Sequence, residues 1–213
     1  MEHSQELNTL LVRLNHLLGN LSEDDLVHAT NALAKYLRCH GPFRNEPVSA
    51  VQWIDIRSIE SNDYNPNNMA PPELRLLTHS LISEGFTQPL VVRQKSEGDY
   101  ELVDGFHRHK ICMENSTLRK RLNGHVPVVV LRGDRGRGEN IAVTVRHNRA
   151  RGRHHIQMMS SLVRELAQLG WSEARIAEEL GMDADEILRL RQIDGLGMLF
   201  HNRNYSQAWT TAR

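Results

Sequence analysis

Residues 103–110, VDGFHRHK, decide how the middle of this chain is interpreted, because they end one regular element and begin another. The residues just before the octet predict a β-strand, and those from about 106 to 114 predict a helix. A glycine at the end of a strand lets the backbone approach a ligand, and the unpaired N–H groups of a helix N-terminus favour anions. Four interpretations compete for the octet: a metal site, a phosphate-binding site, a catalytic cluster or a solvated turn.

Strands and helices alternate on both sides of the octet. Strands are predicted over residues 51–56, 89–93, 100–103 and 126–131, and helices over 73–84 and 139–147. Gly85 ends the first of these helices. These elements predict a β-rich core over residues 45–152.

Residues 1–44 predict a helical hairpin and a linker. Ser22 caps the second helix, which runs to about Leu37, and the Gly and Pro residues that follow break the pattern. The first helix carries an apolar stripe, which we call the leucine stripe: Leu7, Leu10, Leu11, Leu14, Leu17 and Leu18. An apolar stripe has to pack either on the main domain or on a second copy of the chain, and we favour a homodimer.

Residues 153–213 predict a helix-turn-helix DNA-binding domain. Ser172 caps one helix, Gly181 makes the turn, and Asp183 caps the next helix. The inward-facing residues are Ile176, Ala177, Leu180, Ile187 and Leu190. Arg189 and Arg191 then face outward, where they are candidate DNA contacts. A plain helical hairpin is the alternative.

Composition narrows the class of protein. Lys plus Arg and Asp plus Glu both number 26, so no global positive field draws the chain to nucleic acid. A hydrophobic content of 39% without an apolar run of about 18 residues predicts a soluble protein with no membrane partner. Cys39 and Cys112 have no metal-ligand spacing, which is typical of reduced cytoplasmic thiols.

Charge is nevertheless uneven along the chain. The segment 132–153, which we call the arginine-rich zone, contains seven arginines against Asp134 and Glu139. The arginines are Arg132, Arg135, Arg137, Arg146, Arg149, Arg151 and Arg153. Such a zone predicts one anion-binding face, and we assign Arg149 and Arg153 to nonspecific attraction of DNA. A solvated loop is the alternative.

The residue types favour phosphate over the other readings of the octet. Arg108 would lie in the first helical turn, where its planar fork can bind phosphate oxygens, and His107 can donate to the same oxygens. The histidines lack the ligand set of a zinc site, so no protein metal site is predicted, whereas Mg²⁺ can arrive with nucleotide phosphates. No GxSxG nucleophile motif is present, and catalytic residues stay unassigned.

Several ordered motifs resemble the ParB/sulfiredoxin superfamily. Residues 85–89, GFTQP, resemble the GxxQP motif of the ParB N-terminal domain, and residues 104–108, DGFHR, stand where that family has its GERR box. Residues 147–151, HNRAR, stand in the place of ENxxR, and residues 62–68, NDYNPNN, resemble the early Asn-Pro loop. The HNRARG form and the short length look most like the ParB-like proteins called IbrB, co-activators of prophage gene expression. The resemblance covers roughly residues 50–195, and it implies an α+β fold, a ParB/sulfiredoxin-like mixed domain, over residues 45–152.

The resemblance implies a pocket for a nucleoside triphosphate or diphosphate, either ATP/ADP or CTP, with or without Mg²⁺. Carried over position by position, Gln88 and Pro89 shape the base or ribose end. The remaining positions of the implied pocket are Gly85, Asp104, Gly105, His107, Arg108, Asn148 and Arg151. Gly105, His107 and Arg108 would hold the phosphates, and Asn148 and Arg151 would close on them.

Two departures limit what carries over from the superfamily. Phe106 stands where sulfiredoxins have cysteine, and His147 stands where ENxxR has glutamate. Sulfinic-acid repair and ParB-type magnesium-dependent CTP hydrolysis are therefore not implied. The function implied is a DNA-binding regulator of the co-activator type. The alternatives are a nucleotide-dependent enzyme of the same fold (kinase, NTPase or nuclease) and a DNA-binding adaptor with a vestigial pocket.

Overall fold

The structure, a computed structural model, describes residues 2–64, 69–133, 136–149 and 156–200, with side chains described over 4–64, 69–133, 136–147 and 156–193. The helices are α1 Glu2–Leu18, α2 Glu23–His40, α3 Pro71–Ser83, α4 Phe106–Glu114, α5 Ser116–Arg121, α6 Arg137–Arg149, α7 Ile156–Gln168, α8 Glu173–Leu180 and α9 Ala184–Phe200. The strands are β1 Gln52–Asp55, β2 Ile59–Glu60, β3 Leu90–Ser96, β4 Asp99–Asp104 and β5 His125–Leu131. This confirms the predicted α+β class.

Contacts divide the chain into two units. The N-terminal unit comprises Met1–Ser61 and Pro71–Asp134, and the C-terminal unit comprises Asn62–Ala70 and Arg135–Arg213. Helix α6 therefore groups with the C-terminal helices. The division into independent domains at residues 44 and 152 stays a prediction. Among the described helices, none combines the length and apolar character that a bilayer span requires.

A five-stranded mixed sheet forms the centre of the N-terminal unit, in the order β1-β5-β3-β4-β2. Strands β3 and β4 form an antiparallel hairpin that brings Val91 opposite Asp104. Strand β5 runs parallel to β3 and antiparallel to β1. The end of β4 consequently lies beside the beginning of β3, which places residues 104–108 next to residues 88–90.

One face of this sheet is covered by the helices that follow its strands. Leu90 and Val92 of β3 are fully buried, and they share a core with Leu81 of α3 and Cys112 of α4. Alternate residues of a strand point to the same face, so Leu90 and Val92 together make one face of β3 apolar. The core fixes α4 against the sheet and so positions the octet.

Helix α2 protects the outer edge of strand β1. The Asn31 side-chain amide donates to the Trp53 carbonyl oxygen at 2.7 Å, and its oxygen accepts from the Trp53 N–H at 2.7 Å. One amide side chain thus satisfies both backbone groups of Trp53 on the open side of this edge strand. Ser22 begins this helix, as predicted, by accepting from the Asp25 N–H at 3.2 Å.

Most of the leucine stripe of α1 is exposed among the residues that the structure describes. Leu7, Leu10 and Leu17 are 56%, 59% and 59% exposed. Of the two alternatives for the stripe, packing within the chain does not cover these three residues in the described structure. Packing on a second copy stays a prediction.

The C-terminal unit has its own apolar core. Ile141 and Val145 of α6 contact the same buried cluster as the fully buried Leu166 of α7. Further members come from the helix-turn-helix segment: Ile176, Leu180, Met182, Ile187 and Leu190. The inward positions predicted for Ile176, Leu180, Ile187 and Leu190 are confirmed by their burial.

Candidate functional site

Gly105 joins strand β4 to helix α4 in a conformation that suits glycine. Its φ is +99°, in the left-handed region, and it occupies the position before the first residue of α4. A Cβ atom at Gly105 would lie 2.5 Å from Cδ2 of the fully buried Leu90. The glycine therefore has a packing role in addition to any approach of a ligand to the backbone.

Arg108 ties the octet to the loop before β3. Its Nη1 donates to the carbonyl oxygens of Gln88 at 2.5 Å and Pro89 at 2.9 Å. Its Nη2 lies 3.6 Å from Oδ2 of Asp104, and the Arg108 side chain is only 13% exposed. The structure thus brings together five of the predicted pocket positions, 88, 89, 104, 105 and 108. The Nη1 end of the Arg108 guanidinium therefore binds backbone carbonyl oxygens and does not face solvent.

The two histidines of the octet point to different surroundings. Residues two apart on a helix do not share a face, so His107 and His109 cannot chelate one ion from α4. The imidazole of His107 is half-buried in edge contact with Phe106, with ring centroids 5.5 Å apart. Burial and the charge of Lys110 lower the pKa of His107, which favours the neutral ring when no anion is bound.

The geometry of the octet does not favour its interpretation as a metal site or as a catalytic cluster with a nucleophile. Among the residues that the structure describes, no three His, Cys, Asp or Glu side chains are grouped to hold a metal ion. Cys112 is fully buried, and burial raises the pKa of its thiol to about 11. A protonated, inaccessible thiol is a packing residue rather than a nucleophile.

His109 should make the stability of the protein depend on pH. The ring is 6% exposed, its Nε2 lies 3.4 Å from the Ile56 carbonyl oxygen, and burial lowers its pKa. Below the unfolded-state pKa of about 6.5, the unfolded chain binds a proton that the folded chain resists. We expect stability to fall as pH drops through this range, by at most about 1.4 kcal/mol per pH unit from this group.

Urea unfolding at pH 7.5 and pH 5.5 measures this dependence. The free energy of unfolding should decrease less between these two pH values in the variant His109→Gln than in the wild type. Replacement of His79, an exposed histidine on α3, should leave the decrease as large as in the wild type. Identical pH dependence in the wild type and in His109→Gln would contradict the assignment.

The other predicted pocket positions are spread over both units. Gly85 follows α3 with φ of +82° and has open space around it. Asn148 lies in the last turn of α6, in the C-terminal unit, and its side chain is not described. Arg151 lies outside the described residues. Whether these residues share one nucleotide pocket stays a prediction.

The helix-turn-helix has the local geometry that its sequence predicts. The Ser172 hydroxyl accepts from the Arg175 N–H at 3.2 Å and begins α8. Gly181, with φ of +63°, ends α8, and the Met182 N–H donates to the Ala177 carbonyl at 2.9 Å. Asp183 accepts from the Glu186 N–H at 2.7 Å at the start of α9. These contacts fix the turn between the two helices.

Arg189 and Arg191 are exposed on α9, the second helix of the helix-turn-helix. Arg191 forms an ion pair with Glu173 of α8. Of the other two predicted DNA contacts, the Arg149 side chain is not described, and Arg153 lies outside the described residues. The DNA-contact assignments stay predictions.

Part of the arginine-rich zone is neutralised inside the C-terminal unit. Arg137 contacts Glu165 and lies 3.1 Å from Asp63, and both carboxylates raise its pKa. Arg146 pairs with Glu179. The sequence does not reveal these acidic partners, because none of them lies within the arginine-rich zone. Their pairing leaves less positive charge for an anion than the arginine count suggests.

An α+β domain joined to a C-terminal helix-turn-helix is the class of protein that these observations define. Residues 44–162 match the ParB N-terminal domain family, and residues 154–202 match the IbrB-like C-terminal HTH domain. The chain belongs to the ParB N-terminal domain family, which confirms the predicted superfamily. It is 52% identical over 197 residues to the uncharacterized protein YbdM of Escherichia coli (strain K12), covering 92% of this chain and 93% of that protein.

The chain also resembles, at lower similarity, two solved structures of the C-terminally truncated chromosome-partitioning protein ParB from Caulobacter crescentus. The one complexed with the centromeric parS site has a TM-score of 0.45, and the one complexed with CTP-gamma-S has a TM-score of 0.38. Both are 18% identical and cover 70% of this chain, and the match spans 77% and 87% of the ParB chains, respectively.

Proposed function

We propose that this protein is a DNA-binding regulator of the transcription co-activator type, with a phosphate site for a nucleoside di- or triphosphate in its N-terminal unit. The observation that carries the proposal is the capped helix-turn-helix of α8 and α9. Both helices are held by a buried core, and Arg189 projects from the outer face of α9. A helix presented in this way is the element that enters the major groove in helix-turn-helix proteins.

The nucleotide part of the proposal rests on the junction of β4 and α4. Gly105 leaves no side chain over the N-terminus of α4, where backbone N–H groups favour an anion. His107 lies in the first turn of the same helix, and Arg108 supplies positive charge behind it. ATP, ADP and CTP share the phosphate groups that this arrangement would bind, and Mg²⁺ would arrive with them.

The leucine stripe supports the proposed homodimer. A leucine stripe on one face of a 17-residue helix, half exposed or more at most of its positions, is apolar surface that a second copy would cover. Paired helix-turn-helix motifs read two half-sites, so a dimer would also suit a regulator.

We expect the purified protein to bind duplex DNA at low salt and to lose affinity steeply as salt rises. Asp185 and Glu186 in the first turn of α9 repel the DNA backbone, so arginines outside α9 must supply much of the attraction. The double variant Arg149→Ala/Arg153→Ala should flatten the salt slope by about one unit per lost phosphate contact. Arg189→Ala should weaken binding by about tenfold. Fluorescence anisotropy of a labelled duplex across a salt series measures both effects.

Arg57→Ala is the matched control, because Arg57 is an exposed arginine of the N-terminal unit already paired with Asp55 at 2.6 Å. It should leave the salt slope unchanged. If the wild type binds no duplex at low salt, with or without nucleotide, α8 and α9 form only a structural hairpin and the regulator proposal fails.

A further inference from the structure

A cleft lies at the end of strand β3 that is farther from the octet. It has a volume of about 890 Å³ and lies between the last turns of α2 and the carboxyl ends of β3 and β5. The lining residues that matter here are Lys35, Arg38, Cys39, Gln52, Gln94 and Arg132. We call it the α2–sheet cleft. All its lining residues belong to the N-terminal unit.

Two guanidinium groups meet in this cleft without a carboxylate between them. Nε of Arg38 and Nη2 of Arg132 both donate to the carbonyl oxygen of Arg44, at 3.1 Å and 2.7 Å. Neither arginine has an acidic partner among the described residues. Two like charges held on one oxygen atom repel each other, and an anion placed between them would relieve that repulsion.

One hydrogen-bond donor in the cleft is buried and unused. Nη2 of Arg38 is inaccessible to solvent and has no hydrogen-bond partner among the described residues. Leaving a charged donor unsatisfied is costly, so such a group is a candidate for a missing ligand. Lys35 adds a third positive charge, and Glu97 is the one acidic residue of the lining. Lys95, also in the lining, is already paired with Glu60 at 2.7 Å.

The geometry points to a second anion site in the α2–sheet cleft, one that binds the phosphate group of a small phosphorylated molecule. The planar forks of Arg38 and Arg132 suit phosphate oxygens, and Lys35 adds a point charge. Strands β3 and β5 are parallel neighbours, and ligands commonly bind outside the carboxyl ends of such strands. The volume is that of a small-molecule site, and Gln52 and Gln94 offer amide groups to the remainder of the ligand.

This site is separate from the proposed nucleotide site. Arg108 contacts residues at the beginning of β3, whereas Gln94 lies near the end of the same strand. Five residues of extended chain span roughly 17 Å. The inference therefore stands whether or not the octet binds a nucleotide.

Cys39 gives the test a reporter inside the cleft. The chain has two cysteines, and Cys112 is fully buried with its thiol pKa raised to about 11, so a neutral alkylating reagent should modify Cys39 alone. We expect inorganic pyrophosphate to slow alkylation by iodoacetamide several-fold, compared with sodium chloride at equal ionic strength. The double variant Arg38→Gln/Arg132→Gln should raise the pyrophosphate concentration needed for protection by at least about tenfold.

Three further variants keep the test decisive. Lys35→Gln changes a residue near the surface of α2, so it should weaken protection without disturbing the fold, even if the double variant unfolds. Arg57→Gln should leave protection unchanged. His107→Ala should also leave it unchanged, which separates this cleft from the octet.

Four outcomes would overturn the inference. The first is no protection by pyrophosphate, and the second is equal protection in the wild type and the Lys35 variant. The third is protection lost in His107→Ala but kept in the double variant. The fourth is protection by duplex DNA but not by pyrophosphate, which would make the cleft a nucleic-acid contact instead of a small-molecule site.

Discussion

Replacing Gly105 by alanine should destabilise the protein by about 2–5 kcal/mol, as measured by urea unfolding. Two costs combine at this position. The backbone φ of +99° is unfavourable for any residue with a Cβ, and the new methyl group would lie 2.5 Å from Cδ2 of Leu90. Leu90 is 0% exposed in the sheet core, so its side chain cannot turn outward into solvent to make room. The strand or the start of α4 would have to shift.

Gly98→Ala separates the two costs. Gly98 lies in the turn between β3 and β4 with φ of +86°, and a Cβ there would meet nothing within 4 Å. It should cost only the backbone term, about 1–2 kcal/mol. Equal losses for the two variants would show that Leu90 does not constrain Gly105, and the packing role assigned to this glycine would be wrong.

Features set by neighbouring residues were the ones that the sequence predicted well. Ser172, Gly181 and Asp183 each act within three to five residues of their own position, through a cap or a left-handed turn. The helix-turn-helix could therefore be located from the order of its residues alone. The β3–β4 hairpin is similar, since its turn and both of its strands lie within residues 90–104.

Features that depend on distant partners were missed. Strand β2 is only Ile59–Glu60, and it exists because it pairs in parallel with Tyr100 and Glu101 of β4. No periodicity can show in two residues. Helix α5 has six residues, and its one local signal is Asn115, whose side chain accepts from the Leu118 N–H at 3.0 Å. A cap without a longer apolar pattern does not identify a helix.

The arginine-rich zone illustrates the same limit for charge. The sequence shows how many arginines the zone contains but not which acids face them. Arg137 and Arg146 meet Glu165 and Glu179, which lie about 30 residues further along the chain. Arg38 and Arg132, in contrast, come together from positions far apart and share only the Arg44 carbonyl. The cleft that they line could not be predicted from the sequence.

Arg108→Ala should lower the free energy of unfolding by about 2–4 kcal/mol in the absence of any ligand. The variant removes two charge-assisted hydrogen bonds, to the carbonyl oxygens of Gln88 and Pro89. It also removes the ion pair with the buried carboxylate of Asp104. A residue that served only to bind phosphate would show no such loss. The sequence suggested the phosphate role alone, because the carbonyl oxygens that Arg108 holds lie about 20 residues away.

His107→Ala is the matched variant for the binding role. His107 occupies the same helical turn, but it is half-buried and its ring contact is with the neighbouring Phe106 rather than with the loop before β3, so its removal should change stability little. Calorimetry with ADP and CTP, with and without Mg²⁺, then compares the two variants with the wild type. Under the proposed function, both variants should bind nucleotide more weakly, while only Arg108→Ala should unfold more easily.

If Arg108→Ala matches the wild type in stability, the hydrogen bonds from Arg108 to the Gln88 and Pro89 carbonyl oxygens contribute nothing measurable to stability. If the wild type binds none of these nucleotides, the octet is a structural junction in which Gly105 and Arg108 are required by packing alone.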